Sequence, residues 1–287
     1  MTATTAKKEA GAPAAPHPLT TSPILPTLVR LSIPNVFAML ATAVVASAET
    51  VYVGCLGLVP LAAVALAFPA VRLQQMMSAG AMGGGVSSAV SRALGAGDVV
   101  RAEALAWHAT VIGLLAGVAF MIIFLCFGGV IYGLLGGTGQ ALSEALLYSD
   151  VVFAGSITVW LMNTWASVIR GTGNMRLPSA VLFWVAVLQV VIGGVLGLGV
   201  GPIPRFGMAG IGMGQLIAFS AGAVFLGWYL VLGDTRVRLR VGGSLEWAMF
   251  RDILKVGALA CVSPVQTVLT VLIMTALVAH FGTEALA

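Results

Sequence analysis

Charge is what this 287-residue chain has least of: 8% of it is Asp, Glu, Lys or Arg, against about 25% in a soluble globular domain. Ten acidic and 14 basic side chains cannot cover a water-soluble body of this size, and 59% of the residues are apolar. The mean hydropathy is +1.04. That shortage excludes a soluble enzyme and a disordered chain. Cysteine is scarce too. Cys55, Cys126 and Cys261 stand far apart in apolar surroundings with no C-x-x-C spacing, which excludes a secreted disulfide scaffold and leaves them as small core residues. His108 and His280 fall near the ends of apolar runs without a second ligand at metal spacing, so no metal is expected. A pI near 9.3 would suggest nucleic acid in a soluble protein. Here the basic residues are few and dispersed, so membrane topology explains their sign and no nucleic-acid partner is expected.

What the chain has is apolar length. A hydrocarbon core about 30 Å thick needs about 20 apolar residues of helix, and seven stretches meet that demand, near 28–52, 60–90, 105–128, 146–168, 177–200, 208–232 and 256–280. The second carries a glycine break and is expected to end early. A β-barrel would instead show alternating segments of about ten residues, so the fold class is all-α, a polytopic membrane helical bundle. The first 23 residues, rich in Ala, Pro and Thr, read as a disordered cytoplasmic tail with no cleavable signal. Twelve of the 14 basic residues flank the spans on one side. By the positive-inside rule this places the N-terminus in the cytoplasm and the protein in the cytoplasmic (inner) membrane.

The beginning and end of the chain resemble each other at an offset of 225: Arg30 lies over Lys255, Thr50 over Thr275, Gly57 over Gly282, and LGLVPLA over FGTEALA. Residues 24–233 are then a six-helix transmembrane lobe, 234–254 a cytoplasmic inter-lobe loop, and 255–287 the first helix of a second, parallel repeat. That copy stops after one helix, which suggests a truncated second lobe, or a half-unit that needs a second copy. The lone seventh helix is expected to find nothing from its own lobe to pack on, so that its apolar face meets lipid.

Ionisable and amide side chains inside spans are functional candidates, because burying them without a partner is costly. Glu49 lies in the outward half of the first span, within an uncharged run from Leu31 to Val71. Asn35, Thr42 and Glu49, seven apart, share nearly one helical face. A polar stripe ending in a carboxylate suits a water-lined cavity and cation or proton binding; the alternative is an interfacial contact with headgroups. In the fourth span Ser149, Ser156, Asn163 and Arg170 form a similar stripe, and Asn163 is either a cavity residue or an interhelical hydrogen bond. Arg72 either snorkels or pairs with a carboxylate such as Glu49. Gln189 in the fifth span is either a cavity or a packing residue. Gly83–Gly85, Gly193 and Gly194 permit close helix approach or bending and, with no strand before them, are not phosphate cradles.

Several stretches carry a family resemblance. Glu49–Gly57 (ETVYVGCLG) followed by LVPLAAVALAFP resembles the first-to-second-helix signature of the multidrug and toxic compound extrusion (MATE) transporters. SRALGAGD at Ser91–Asp98, RGTGN at Arg170–Asn174 with Pro178, GPIPRFGMAGIGMG at Gly201–Gly214 and the final FGTEALA resemble further family segments in the right order. The resemblance implies a cation-coupled antiporter, not an enzyme, which takes up H⁺ or Na⁺ as it exports amphipathic drugs or toxic compounds, with no bound cofactor. It implies two six-helix lobes around a V-shaped cavity, so this chain matches the N-terminal lobe plus one helix. The family's first-helix carboxylate falls on Glu49. The sequence departs from the pattern in helix five, where Gln189 and Gly193 stand in place of an Asn and an Asp. It departs again in helix seven, where Gln266 and Thr267 stand nearest the usual Glu and Leu259 replaces a Pro. Coupling would then rest mainly on Glu49. The alternatives are a lipid or oligosaccharide flippase of the same superfamily, for which only Arg72 offers cavity charge, and a truncated, non-transporting fragment.

Overall fold

The computed structural model describes residues 23–279, and every regular element among them is helical. In chain order these are α1 (Ile24–Leu56), α2 (Leu58–Gln75), a π-helical stretch (Met76–Met82), α3 (Gly83–Gly95), α4 (Val99–Leu134), α5 (Gly139–Ala154), α6 (Ser156–Gly171), α7 (Arg176–Leu198), α8 (Gly207–Leu232) and α9 (Trp247–Ala279). Six units are long and apolar enough to cross a membrane, and α5 with α6, bent by 47° at their junction, meet the same length and composition only as a pair. The tail before Pro23 and the closing FGTEALA lie outside the described residues.

Three expectations are corrected here. The second span does not end early: α2, the π-helical stretch and α3 run on as one 38-residue unit to Gly95. The glycine break is instead a change of helix type just before Gly83. There the Ser78 hydroxyl donates to the Gln74 carbonyl at 2.8 Å, so a side chain serves an acceptor within the widened turns. The fourth span is two helices. At Gly155 the Leu216 side chain of α8 occupies the place a Cβ would take, 2.5 Å from it, and the axis turns around that contact.

The third correction concerns the last helix. It begins at Trp247, inside the stretch 234–254 read as loop, and its first half packs on the first lobe. Ile253 is fully buried. A Cβ on Gly85 of α3 would lie 2.7 Å from the Gly257 nitrogen, so the two backbones touch there. Asp252 accepts from Arg101 at 2.7 Å and from Arg92 at 3.4 Å. The incoming loop is pinned by His108, which is buried: its Nδ1 donates to the Ala104 carbonyl at 2.7 Å, and its Nε2 accepts from the Glu246 N–H at 2.8 Å. Beyond Cys261 the described side chains of α9 are mostly exposed.

Two apolar clusters hold the bundle. One joins α3, α4, α6, α8 and the base of α9 through Ala89, Leu105, Met162, Ala166, Leu226 and Ile253. The other joins α1, α2, α4, α5 and α8, with Phe124 and Phe153 stacked at 3.9 Å. The tightest crossing is that of α7 and α8, where a Cβ on Gly214 would sit 2.4 Å from the Gly193 Cα. Small residues let these backbones meet, and lipid-embedded helices associate through such close packing. In contrast, α1 buries only 17% of its most apolar window.

Candidate functional site

The α7–α8 crossing and the α1–α2 pair frame a cavity of about 120 Å³ inside the bundle. From α1 it receives Thr42 and Glu49, and from α2 Phe68, Arg72 and Gln75. Tyr148 of α5, Gln189 of α7 and Gln215 of α8 complete its polar lining. Its volume is well below the roughly 300–1,000 Å³ of a pocket for a drug-sized ligand and suits a monovalent ion or one polar head group.

Glu49 is partly buried, and its Oε1 accepts from Gln189 Nε2 at 2.7 Å. An ionised carboxylate only accepts, with about four lone-pair positions, so one amide donor leaves most of its acceptor capacity facing the cavity. A neutral amide donor orients the carboxylate without adding a charge. The arrangement suits a proton or a monovalent cation.

Of the predicted residues, Thr42, Glu49, Arg72 and Gln189 line this one cavity. Thr42 donates to the Ala38 carbonyl at 2.9 Å. Asn35 is not among the lining residues; it is exposed. Seven residues from Thr42, it lies about 10 Å further along α1 at 1.5 Å per residue, beyond the end of the cavity. Asn163 does not join either. It is buried, and its Nδ2 donates to Ser78 Oγ at 2.9 Å, joining α6 to the π-helical stretch. Of its two readings, the interhelical hydrogen bond is the one observed. Arg72 forms no ion pair with Glu49. Its guanidinium carbon lies 5.9 Å from the Phe68 ring centroid. Glu49 precedes the Gly57 turn by eight residues and Arg72 follows it by 15, so the two differ in depth by about 10 Å at 1.5 Å per residue. In α9, Gln266 and Thr267 are exposed.

Sequence reasoning missed Tyr148, Gln75 and Gln215. Gln215, 3% exposed with no partner for its Nε2, carries the same signal that singled out Gln189, an amide within an apolar span. Tyr148 offers no such signal, since aromatic residues are common in helical cores.

Long apolar helices around a small polar cavity lined by one carboxylate define a polytopic membrane protein. The MatE family model matches residues 34–195, more than half of the chain, and the chain belongs to that family. It is 24% identical over 277 residues to an FAD transporter of Shewanella oneidensis, covering 94% of this chain and 60% of that protein. It is 25% identical over 186 residues to a probable multidrug resistance protein, NorM, of Thermotoga maritima, covering 64% of this chain and 39% of the relative. Among solved structures, the outward-facing conformation of a multidrug resistance MATE family transporter of the MOP superfamily superposes with a TM-score of 0.81 at 27% identity. That match covers 90% of this chain and 56% of the other. The chain therefore spans about 40–60% of the length of these relatives.

Proposed function

We propose that this chain forms the ion-binding half of a cation-coupled antiporter that exports amphipathic compounds across the cytoplasmic membrane, with Glu49 as the cation- or proton-binding group. The observation that carries this reading is the 2.7 Å hydrogen bond from Gln189 to Glu49 within a 120 Å³ cavity. The Shewanella relative is named for FAD and the Thermotoga relative for drug resistance; what passes to this chain is transport of organic amphiphiles. The N-terminus is cytoplasmic on the distribution of basic residues. The poorly covered face of α1 meets a second lobe, a second copy of the chain or lipid. A flippase would need several basic residues for a pyrophosphate, and Arg72 is the one basic residue lining this cavity.

Coupling requires that the ionised and neutralised forms of Glu49 favour different states of the bundle, since a ligand shifts an equilibrium only by its differential affinity. Glu49→Gln keeps size and hydrogen-bonding capacity and removes the charge permanently. In proteoliposomes holding the chain extended by a second lobe, under an imposed pH or Na⁺ gradient, it is expected to abolish gradient-driven efflux while inserting normally, and Glu49→Asp is expected to keep partial activity. Efflux by Glu49→Gln at the parent rate would make Glu49 an interfacial residue and end the coupling assignment.

A further inference from the structure

The segment that joins α8 to α9 carries arginines in its first half and exposed apolar side chains in its second. Val237 and Leu239 are buried in the apolar cluster at the base of the bundle, while Arg236, Arg238 and Arg240 are exposed. That alternation is the period of an extended chain, so RVRLR turns its charged side chains outward. Between residues 235 and 245 every charged side chain is an arginine, with Asp234 and Glu246 just outside. Arg240 lies 2.9 Å from Glu103, yet its side chain stays 78% exposed. Further on, Val241, Leu245 and Trp247 are 69%, 56% and 74% exposed.

The contacts of this segment set its two halves at different depths. The Leu239 N–H donates to the Leu230 carbonyl in the last turn of α8 at 2.9 Å, and the Arg238 N–H to Glu103 at 3.4 Å. A Cβ on Gly243 would lie 3.8 Å from the Trp107 ring, and the Glu246 N–H donates to His108 at 2.8 Å. Glu103 and His108 are five residues apart, so the segment climbs α4 by about 7 Å at 1.5 Å per residue, toward the apolar run that begins near residue 105. The arginines therefore lie on the water side, and Leu245 and Trp247 on the bilayer side. Trp228, exposed one turn before the end of α8, marks the same boundary, where tryptophan is enriched in membrane proteins. Exposed side chains of this size are unfavourable in water and well placed where head groups meet acyl chains.

We propose that residues 238–247 form an edge that binds an anionic phospholipid, with Arg238 and Arg240 on its phosphate and Leu245 and Trp247 beside its acyl chains. Two residues apart in an extended chain, the arginines stand about 7 Å from each other, close enough to flank one phosphate. Guanidinium groups hold phosphate through paired N–H bonds. Ser244, exposed in the same cleft of about 180 Å³ as Arg240, adds a hydroxyl. A zwitterionic lipid brings its own cation to the phosphate, so the edge favours an anionic one. The surface is independent of the transport reading, since it forms whatever solute the bundle moves.

Hydrogen exchange of the full chain in phosphatidylcholine nanodiscs, with increasing phosphatidylglycerol of the same acyl chains, reads this segment directly. Amides 238–245 are expected to become several-fold better protected as phosphatidylglycerol rises to about 30 mol%. Arg238→Gln, at an exposed position, is expected to raise the half-maximal phosphatidylglycerol content about five-fold, the contribution of one arginine near an anionic surface. Leu245→Ser is expected to shift it in the same direction, and gives the answer should Arg238→Gln not fold. Arg176→Gln removes an exposed charge at the start of α7 and is expected to leave the segment unchanged. Protection that ignores phosphatidylglycerol, or a half-maximal content unmoved in Arg238→Gln, would overturn the proposal. An equal shift in Arg176→Gln would do the same, by showing a general effect of surface charge. So would equal protection by soluble glycerol phosphate in pure phosphatidylcholine discs, which would make the cleft a site for free phosphate.

Discussion

Replacing Gly214 by alanine tests whether the α7–α8 crossing builds the site. The new Cβ would lie 2.4 Å from the Gly193 Cα, 2.5 Å from its nitrogen and 3.0 Å from the Gln189 carbonyl oxygen. Carbon atoms pack best at about 3.5–4.0 Å, so the helices must separate by about 1 Å or more. All three obstructing atoms are backbone, and no rotamer change relieves them. Overpacking of this kind costs about 1–3 kcal/mol, against which a Gly-to-Ala change in a helix gains at most about 1 kcal/mol. With the full propensity gain the net expectation is a loss of up to about 2 kcal/mol. Gly84→Ala is the control: a Cβ there meets nothing within 4 Å, so the propensity gain stands alone and stability stays level or rises by up to about 1 kcal/mol. Unfolding by detergent titration, followed by tryptophan fluorescence, reads both variants. Because Gln189 is one of the residues pushed, Gly214→Ala should also weaken binding of an organic amine at Glu49, while Gly84→Ala should not. A Gly214→Ala variant as stable as Gly84→Ala would refute this reasoning, since no close crossing would then exist.

Two further expectations concern the end of the bundle where α9 docks. Asp252→Asn removes the carboxylate shared by Arg92 and Arg101; both arginines are about half exposed, so the loss should stay below about 1 kcal/mol. The difference from the parent in the same unfolding assay should shrink in high salt. A larger, salt-insensitive loss would mean the ion pair, rather than the Gly85–Gly257 contact, holds the helix. His108→Leu removes the acceptor of the Glu246 N–H and should cost about 0.5–1.5 kcal/mol. Hydrogen exchange at the Glu246 amide should quicken while exchange within α4 stays unchanged, and an unaltered Glu246 amide would contradict the latch.

The spans were legible because apolar length is a property of the sequence alone. What happens within them was not. The π-helical stretch depends on which carbonyl each N–H selects, and the Ser78 hydroxyl at the Gln74 carbonyl leaves no periodicity to read. The cavity alternative for Asn163 arose because Ser149, Ser156, Asn163 and Arg170 form a heptad stripe on a straight helix. The 47° bend at Gly155 puts Ser149 on one helix and the other three on the next, so the stripe faces no single space. Glu49 and Gln189 were each visible as polar residues in apolar runs. Their meeting at 2.7 Å belongs to the α1–α7 packing, 140 residues apart in sequence, and no local pattern encodes it.

Packing and charge are linked at one further position. Gly193 stands where the family resemblance would place a second acid, and in the fold it faces α8. A Cβ there would be 3.5 Å from the Ile211 carbonyl oxygen and 3.8 Å from the Gly214 Cα, ordinary van der Waals contacts. One turn beyond Gln189, α7 thus brings a glycine rather than a second acid to the crossing with α8. The result is a cavity lined by one carboxylate, oriented by an amide that donates a hydrogen bond and brings no charge. On the proposed reading, one proton or one monovalent cation neutralises that carboxylate, because Glu49 is the one acidic side chain among the lining residues.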